Sequence, residues 1–304
     1  MTWGAPIWIY LWAAGMAGGA YFTGFLVDRF SGGRNKNLFQ LSVYLGIPLV
    51  ILGVLLLIID LGSPIEFWHL FTQFKVSSPM SLGTWILISW AIFAVLQVII
   101  WFIQGDILKN VKLYPAGMEG RMNAIAGVLG WVGFLLSMAV MSYTGVLLAV
   151  SAQSIWADTF LLPALFTASA ISTGVALLVL VAFIVNARSS GEAFASKIIE
   201  RLAEADAIVI LVESAVLIGY AIWLSASGSA GGEALSLLTT GELAVMFWVG
   251  FILLALLLPL ALDLLNWGKK VEEKSVMFAI SLSAVSVLVG GFILRVVITM
   301  GGQL

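Results

Sequence analysis

The chain has 304 residues, of which 62% are hydrophobic and only 10% are charged. Soluble domains carry roughly 25% charged residues, so this composition excludes an ordinary water-soluble fold. The chain has no cysteine and one histidine, which excludes disulfides, cysteine-ligated iron–sulfur clusters and a haem with two histidine ligands within it. Its formal charge of −2 gives no sign of a nucleic-acid partner.

Apolar stretches of about 20 residues recur along the whole chain, each long enough to cross a bilayer as a helix. They predict an all-α polytopic membrane protein with eight transmembrane helices, in a single integral membrane domain over 1–304 that could form two four-helix bundles. The N-terminus has no basic region, so we expect the first span to stay in the membrane rather than to be a cleaved signal. The predicted spans are 6–27, 38–60, 83–104, 123–150, 158–186, 205–227, 242–266 and 276–299.

Lysine and arginine are unevenly distributed between the predicted loops. The loops after spans one, three, five and seven hold 12 of the 14 basic residues. By the positive-inside rule these loops are cytoplasmic, so both termini and the other loops face outward. Of the remaining two basic residues, Lys75 lies in an outer loop and Arg295 lies inside span eight.

Span one begins with aromatic residues and continues with small ones. Trp8, Tyr10 and Trp12 lie at its outer start, where an interfacial aromatic belt is expected. Gly15 and Gly19 are four residues apart, the small-xxx-small spacing that lets two helices approach closely in lipid. We interpret these glycines as packing residues.

The longest outer loop follows span two and begins with "DLGSPIEFWHL", residues 60–70. This segment brings Asp60, Glu66 and the single histidine, His69, within ten residues of one another. Prolines and glycines in 61–83 argue against one continuous helix. Its aromatic middle, "FWHLFTQF", suits the membrane–water interface. Asp60 closes span two, either as an ordinary helix end or as a functional carboxyl.

Further polar residues fall in the later spans. Tyr143, in "MAVMSYTGVLLAVSA", lies in the outer third of span four, as a belt residue or a hydrogen-bond donor. The segment "RSSGEAFASKIIERLAEAD" (188–206) predicts a cytoplasmic interfacial helix leading into span six.

Ionisable residues inside spans are costly, at roughly 2.5–3.5 kcal/mol on insertion scales, and so each is a functional candidate. Glu213 lies within span six and suggests a proton-handling carboxyl. Arg295 lies in the outer part of span eight and could instead extend its side chain toward the interface. Asp263 closes span seven at the inner face, either as an ordinary helix end or with a function.

Five of these polar residues fall on the outward half of the predicted topology and could line a single pocket. They are Tyr10, Asp60, His69, Tyr143 and Arg295.

Several of these stretches resemble the NrfD-like family of polysulfide-reductase membrane subunits. The most specific are "DLGSPIEFWHLF" and "SPMSLGTWIL" (78–87). "AGG" (17–19), "SYTG" (142–145) and the closing "GGFILRVVITMGGQ" (290–303) are also similar, so the resemblance covers nearly the whole chain.

The resemblance implies a quinone-interacting subunit of a respiratory oxidoreductase in a bacterial or archaeal cytoplasmic membrane. It implies quinone or menaquinone as the bound substrate, and no haem or cluster in this chain. It also implies a ferredoxin-like iron–sulfur subunit docked on the outer face, with a molybdopterin-type catalytic subunit or a multihaem cytochrome beyond it. Electrons would pass between the quinone pool and the docked clusters, and protons could move with them.

Residue by residue, the resemblance places the family's quinone-binding tyrosine at Tyr143. The histidine and asparagine that some relatives use in the first helix fall on Tyr10 and Pro6, of which only Tyr10 can donate a hydrogen bond. Asp60 and Arg295 match the acidic end of span two and the arginine of the last helix. The resemblance thus implies that Asp60 is a head-group or proton partner, and that His69 shapes the docking loop, takes part in the head-group site or has a structural role.

Two other functions fit the same residues. A proton-coupled transporter or channel would use Glu213 and Arg295 as intramembrane charges, although no matching pair of Gly- or Pro-broken helices supports it. A passive anchor for an outer enzyme would need the loop 61–82 but neither Tyr143 nor Asp60.

Overall fold

The computed structural model describes residues 3–60, 78–105, 118–150, 159–189, 193–269 and 274–304, and every regular element within these ranges is helical. The helix over Met246–Leu265 begins as a π-helix, over Met246–Leu257, and continues as an α-helix over Leu258–Leu265. The helices are α1 (Ala5–Phe30), α2 (Lys36–Asp60), α3 (Pro79–Gln104), α4 (Met118–Ala149), α5 (Leu161–Arg188), α6 (Ser196–Ala226), α7 (Gly228–Thr239), α8 (Met246–Leu265) and α9 (Lys274–Gly301).

These helices confirm the predicted all-α, polytopic membrane class. Each of the eight predicted spans coincides with one long helix, and seven of the long helices are apolar enough along their length to cross a membrane. Helix α1 has 26 residues, which is long enough to cross, but it is not among these seven. The count of eight crossings and the side of each terminus stay predictions.

Two local features differ from the predictions. The segment 188–206 was predicted as an interfacial helix leading into span six; from Ser196 onward it is helical, but it forms one continuous helix with the span, α6 (Ser196–Ala226). Hydropathy placed the cytoplasmic end of span six near residue 205, next to a charged segment. A helix can, however, extend beyond the bilayer with its polar residues exposed. The short helix α7 was not predicted at all, since its composition is small and polar.

The long helices pack as two rings of four. In the first ring α1 packs against α2 and α4, and α3 packs against α2 and α4. In the second ring α5 packs against α6 and α9, and α8 packs against the same two helices. We call these rings the first and second bundles, and they match the two four-helix bundles that the sequence allowed.

The two bundles meet chiefly where α1 crosses α5. A side chain at Gly19 would overlap the backbone of Ala170, and one at Gly174 would overlap the backbone of Gly19. The helices therefore approach closely enough for backbone-to-backbone contact, which only small residues permit in lipid. This confirms the packing role predicted for Gly19.

Aromatic rings fill the part of the first bundle that is predicted to lie toward the cytoplasm. Tyr21 packs edge-on against Phe39 and Trp90, at centroid distances of 5.2 and 5.7 Å. Gly46 of α2 makes room for Trp90, because a Cβ there would lie 2.8 Å from the indole Cη2. Such edge-to-face pairs add about 0.5–1.5 kcal/mol each beyond their burial, so this half of the bundle is a rigid support.

The two ends of the described chain are tied together. The Trp3 amide donates to Gln303 Oε1 at 2.6 Å, and Gln303 Nε2 donates to the Trp3 carbonyl at 3.1 Å. The start of α1 and the end of α9 thus lie at the same end of the protein, which is predicted to face outward.

Candidate functional site

Two tyrosines meet inside the first bundle near its predicted outer end. Tyr10 lies in the second turn of α1 and Tyr143 lies two turns before the end of α4. Their side chains are only 2% and 7% exposed. Their hydroxyl groups are close enough to interact directly. Burial excludes the interfacial-belt interpretation for both residues, because a belt tyrosine keeps its hydroxyl in the wet interface.

Glycines on the neighbouring helices make the space for both rings. A side chain at Gly83 of α3 would overlap the phenol ring and hydroxyl of Tyr143. At Gly53 of α2, a Cβ would lie 3.0 Å from Cδ2 of Tyr10. All four helices of the first bundle therefore contribute to this position, which we call the tyrosine pair site. Gly83 belongs to the stretch "SPMSLGTWIL" in the sequence, but nothing in the pattern indicated that it faces Tyr143.

The start of α3 is set locally. Ser78 precedes the helix and its side chain accepts a hydrogen bond from the Ser81 amide at 3.4 Å, while proline occupies the first helical position. Serine as the N-cap and proline at the first position are both typical of helix starts. This fixes where α3 begins, and so places Gly83 one turn inside it.

Asp60 is half-buried at the last residue of α2. It follows Gly53 by seven residues, which puts it on the same face of α2 and about 10 Å farther out. Asp60 therefore lies closer to the predicted outer face than the tyrosine pair does, rather than beside the pair. Glu66 and His69 lie outside the described residues.

Arg295 belongs to a different place, inside the second bundle. Its side chain is 0% exposed, which rules out extension to the interface. Nη1 donates to Ser169 Oγ at 2.6 Å and to the Gly291 carbonyl at 2.7 Å, and the guanidinium lies 5.4 Å from the centroid of the Phe166 ring. The single-pocket hypothesis is therefore wrong for Arg295, although its Nη2 comes within 3.3 Å of the Cβ position of Gly15 on α1.

Glu213 reaches Arg295 through Ser169. The Ser169 hydroxyl accepts from Arg295 and hydrogen-bonds the Glu213 carboxyl, and Glu213 and Arg295 attract each other electrostatically. A hydroxyl can both donate and accept, so one serine joins the cation and the acid. Glu213 is 2% exposed, and Oε1 has no hydrogen-bond partner among the described residues.

Two more buried carboxyls continue from Glu213 toward the predicted cytoplasmic side. Asp206 lies seven residues earlier on the same face of α6, with its carboxyl near the Ser172 side chain. Asp263 of α8 interacts with Asp206 electrostatically, and its carboxyl lies near the Ser283 side chain. Both aspartates are at most 5% exposed, so Asp263 is not an ordinary exposed helix end. We call Glu213, Asp206 and Asp263 the carboxyl file.

Small voids accompany the inner part of this file. One of about 10 Å³ lies between Asp206 and Asp263, and another of about 10 Å³ joins Asp263 to Glu200, Glu204 and Lys269 at the end of the bundle. Voids of this size hold about one water molecule each. Carboxyl, hydroxyl and water oxygens in series are the groups along which protons move through membrane proteins.

Sequence reasoning thus identified some of these residues and missed others. Tyr10 and Tyr143 come together as the pocket hypothesis required, and Glu213 is buried as its place in span six indicated. Asp206 was missed because it was assigned to a cytoplasmic helix. Its spacing of seven residues from Glu213 is a signal that could have found it.

The whole chain, residues 1–304, matches the sequence model described as "Polysulphide reductase, NrfD". The chain belongs to the NrfD family. This confirms the resemblance that the motifs indicated.

Curated relatives align over most of their lengths. The C chain of polysulfide reductase from Wolinella succinogenes is 32% identical over 317 residues, an alignment that covers 100% of the present sequence and 95% of that protein. Protein NrfD of Escherichia coli is 28% identical, with 100% and 96% covered. The C subunit of selenate reductase from Mesobacillus selenatarsenatis is 23% identical, with 88% and 68% covered.

Proposed function

We propose that this NrfD-family protein is the membrane subunit of a respiratory oxidoreductase and exchanges electrons between the quinone pool and an iron–sulfur subunit docked on its outer face. Two relatives are named as components of polysulfide and selenate reductases, which supports a subunit role in a larger complex. The sequence has no cysteine, so a docked subunit would have to supply cysteine-ligated clusters.

The observation that carries the proposal is the tyrosine pair site. A phenol hydroxyl donates one hydrogen bond, so a contact between Tyr10 and Tyr143 leaves one hydroxyl proton of the pair for a third group. A quinone carbonyl is such an acceptor. A neutral tyrosine can hold this carbonyl without bringing charge into lipid.

The chemistry at this site is a two-electron, two-proton exchange. Oxidation of one quinol yields one quinone, two electrons for the docked clusters and two protons; quinone reduction is the reverse. In this mechanism Tyr143 holds one oxygen of the head group and Tyr10 orients Tyr143. Asp60, about 10 Å farther out on α2, takes up or delivers protons between the site and the outer face.

The carboxyl file favours a second role, a proton route from the cytoplasmic side. The route would run from Asp263 through Asp206 and Glu213 to Ser169 and Arg295. Arg295 abuts Gly15, which lies five residues, or about 7.5 Å, along α1 from Tyr10. The second bundle would thus connect cytoplasmic water to the neighbourhood of the quinone. A transporter without electron transfer would use the same file but would not need the tyrosine pair.

The experiment that tests the quinone site is a titration of the purified protein with a fluorescent quinol-site inhibitor. Tyr143→Phe is compared with Tyr21→Phe, a buried tyrosine of the same bundle whose hydroxyl donates to the Gly130 carbonyl at 3.4 Å. Losing one hydrogen bond of about 1 kcal/mol predicts an affinity about fivefold weaker for Tyr143→Phe and unchanged for Tyr21→Phe.

Each other result has a distinct meaning. Saturable binding that is equal in all three proteins would keep the quinone and remove Tyr143 from its site. Absence of saturable binding by the wild-type protein, in detergent and in lipid, would refute the quinone proposal and leave the anchor and the transporter.

A further inference from the structure

A large cavity lies at the other end of the protein from the tyrosine pair. It has a volume of about 730 Å³ and opens where the last turns of α1 and the loop after it face the first turns of α6. Its inner wall is formed by α5, so the cavity follows the seam between the two bundles. This volume is within the range of roughly 300–1,000 Å³ that is usual for sites of small ligands.

The mouth of the cavity is positively charged. Arg34, Lys197 and Arg201 line it, and none of the described residues that line it is acidic. All three cations are exposed. The Nε of Arg34 donates to the Ser31 carbonyl at 2.8 Å, which holds the guanidinium at the mouth with its other N–H groups available. The mouth therefore presents a patch of about three positive charges, with no carboxylate among its described lining residues to neutralise it.

The interior of the cavity is apolar and reaches deep into the membrane. Its walls include Leu26, Ile171, Val175 and Val209. Along α6 the lining extends from Lys197 to Val209, twelve residues or about 18 Å of helix. On α5 the lining includes Ile171, near the middle of the predicted span 158–186, so the cavity runs from its cytoplasmic mouth to about the middle of the bilayer.

A cationic mouth at interface depth above an apolar slot one leaflet long matches one class of molecule. We propose that this cavity binds an anionic phospholipid of the cytoplasmic leaflet, with its phosphate at Arg34, Lys197 and Arg201 and an acyl chain against α1, α5 and α6. Basic pockets between transmembrane helices on the cytoplasmic side are suited to such head groups. A quinone head group is uncharged and would gain little from three cations, and a soluble phosphate would leave the apolar slot unfilled.

The bound lipid would act as a link between the bundles. Phe22 and Leu26 belong to the first bundle, whereas Ile198 and Leu202 belong to the second, and all four line the same slot. An acyl chain between them would fill space that the two bundles leave open at this end. This inference does not depend on the quinone site.

Native mass spectrometry of the purified, delipidated full-length protein tests the proposal. The protein is titrated with dioleoyl phosphatidylglycerol and, separately, with the zwitterionic dioleoyl phosphatidylcholine. We expect a one-to-one complex with phosphatidylglycerol and at least tenfold weaker binding of phosphatidylcholine. The triple variant Arg34→Gln/Lys197→Gln/Arg201→Gln should weaken phosphatidylglycerol binding at least tenfold, since each cation near a head group contributes up to about fivefold.

A matched control carries the same loss of charge elsewhere on the cytoplasmic side. Arg121, Arg188 and Lys274 are exposed and do not line the cavity. Their replacement by glutamine should leave binding within about twofold of wild type. If this control loses as much affinity as the cavity triple, the attraction depends on net charge alone and the site is refuted.

A second variant keeps every charge and blocks the slot. Ala205 is an exposed lining residue of α6, so Ala205→Trp adds a large ring to the cavity without disturbing a packed core. We expect it to abolish the one-to-one complex. Three results would each overturn the proposal: equal binding of the two lipids, full binding by Ala205→Trp, and displacement of phosphatidylglycerol by equimolar sn-glycerol 3-phosphate. The last of these would assign the cations to a soluble phosphate.

Discussion

The contact between Arg295 and Glu213 through Ser169 predicts that removing either charge destabilises the protein, because the other charge is then buried without its partner. Arg295→Met removes two hydrogen bonds, of 2.6 and 2.7 Å, and leaves Glu213 only 2% exposed without its countercharge. Breaking a buried pair by removing one partner costs about 3–5 kcal/mol, whereas replacing both partners by neutral groups is often close to neutral. We therefore expect Arg295→Met and Glu213→Gln, each made alone, to be about 3 kcal/mol less stable than wild type.

The double variant Arg295→Met/Glu213→Gln should be less damaged than the sum of its parts. Residues in one hydrogen-bonded network show coupling energies of about 0.5–3 kcal/mol, and we expect at least about 1 kcal/mol here. Unfolding of the purified protein in mixed micelles, followed by the fluorescence of its 12 tryptophans, measures all four corners of the cycle. Arg121→Met, at an exposed position, is the control and should change stability by no more than about 0.5 kcal/mol.

Additive losses, within about 0.5 kcal/mol, would refute the argument. They would mean that Ser169 does not couple the two charges and that each side chain is stabilised by separate contacts.

Three further results are expected. Gly83→Ala should weaken inhibitor binding at least as much as Tyr143→Phe, because its Cβ occupies the position of the phenol; Gly127→Ala, with nothing within 4 Å, should not change the titration. In the assembled complex in vesicles, Asp206→Asn should lower proton uptake from the cytoplasmic side while quinone-linked electron transfer continues, and unchanged uptake would remove Asp206 from the route. Gly19→Leu should separate the bundles and lower the yield of folded protein, measured by size-exclusion chromatography, and a normal profile would contradict the close crossing.

Helix positions were predictable to within a few residues because they depend on a local property. The last span was predicted at 276–299 and α9 covers Lys274–Gly301. A backbone in lipid must satisfy its own hydrogen bonds, so an apolar run of sufficient length has to be helical. The start of α6 was missed by about ten residues, because the same rule says nothing about a helix that continues into water.

The candidate site was predictable only in part. The depth of Tyr10 and Tyr143 followed from counting residues along their spans, and so did their place at one end. Their contact did not follow, because it requires the two helices to be neighbours with the two rings turned inward. Arg295 has nearly the same predicted depth but turns toward Ser169 and Glu213 of the second bundle.

The sequence by itself therefore determined that this protein lies in a membrane, that it is helical and which family it resembles. Hydropathy, loop charge and short motifs act along the chain and need no knowledge of neighbours. Only the tertiary structure decided which polar residues share a site, because helix rotation and pairing depend on where small residues such as Gly19 and Gly174 allow close approach. The tyrosine pair, the carboxyl file and the cationic cavity all arise from that packing.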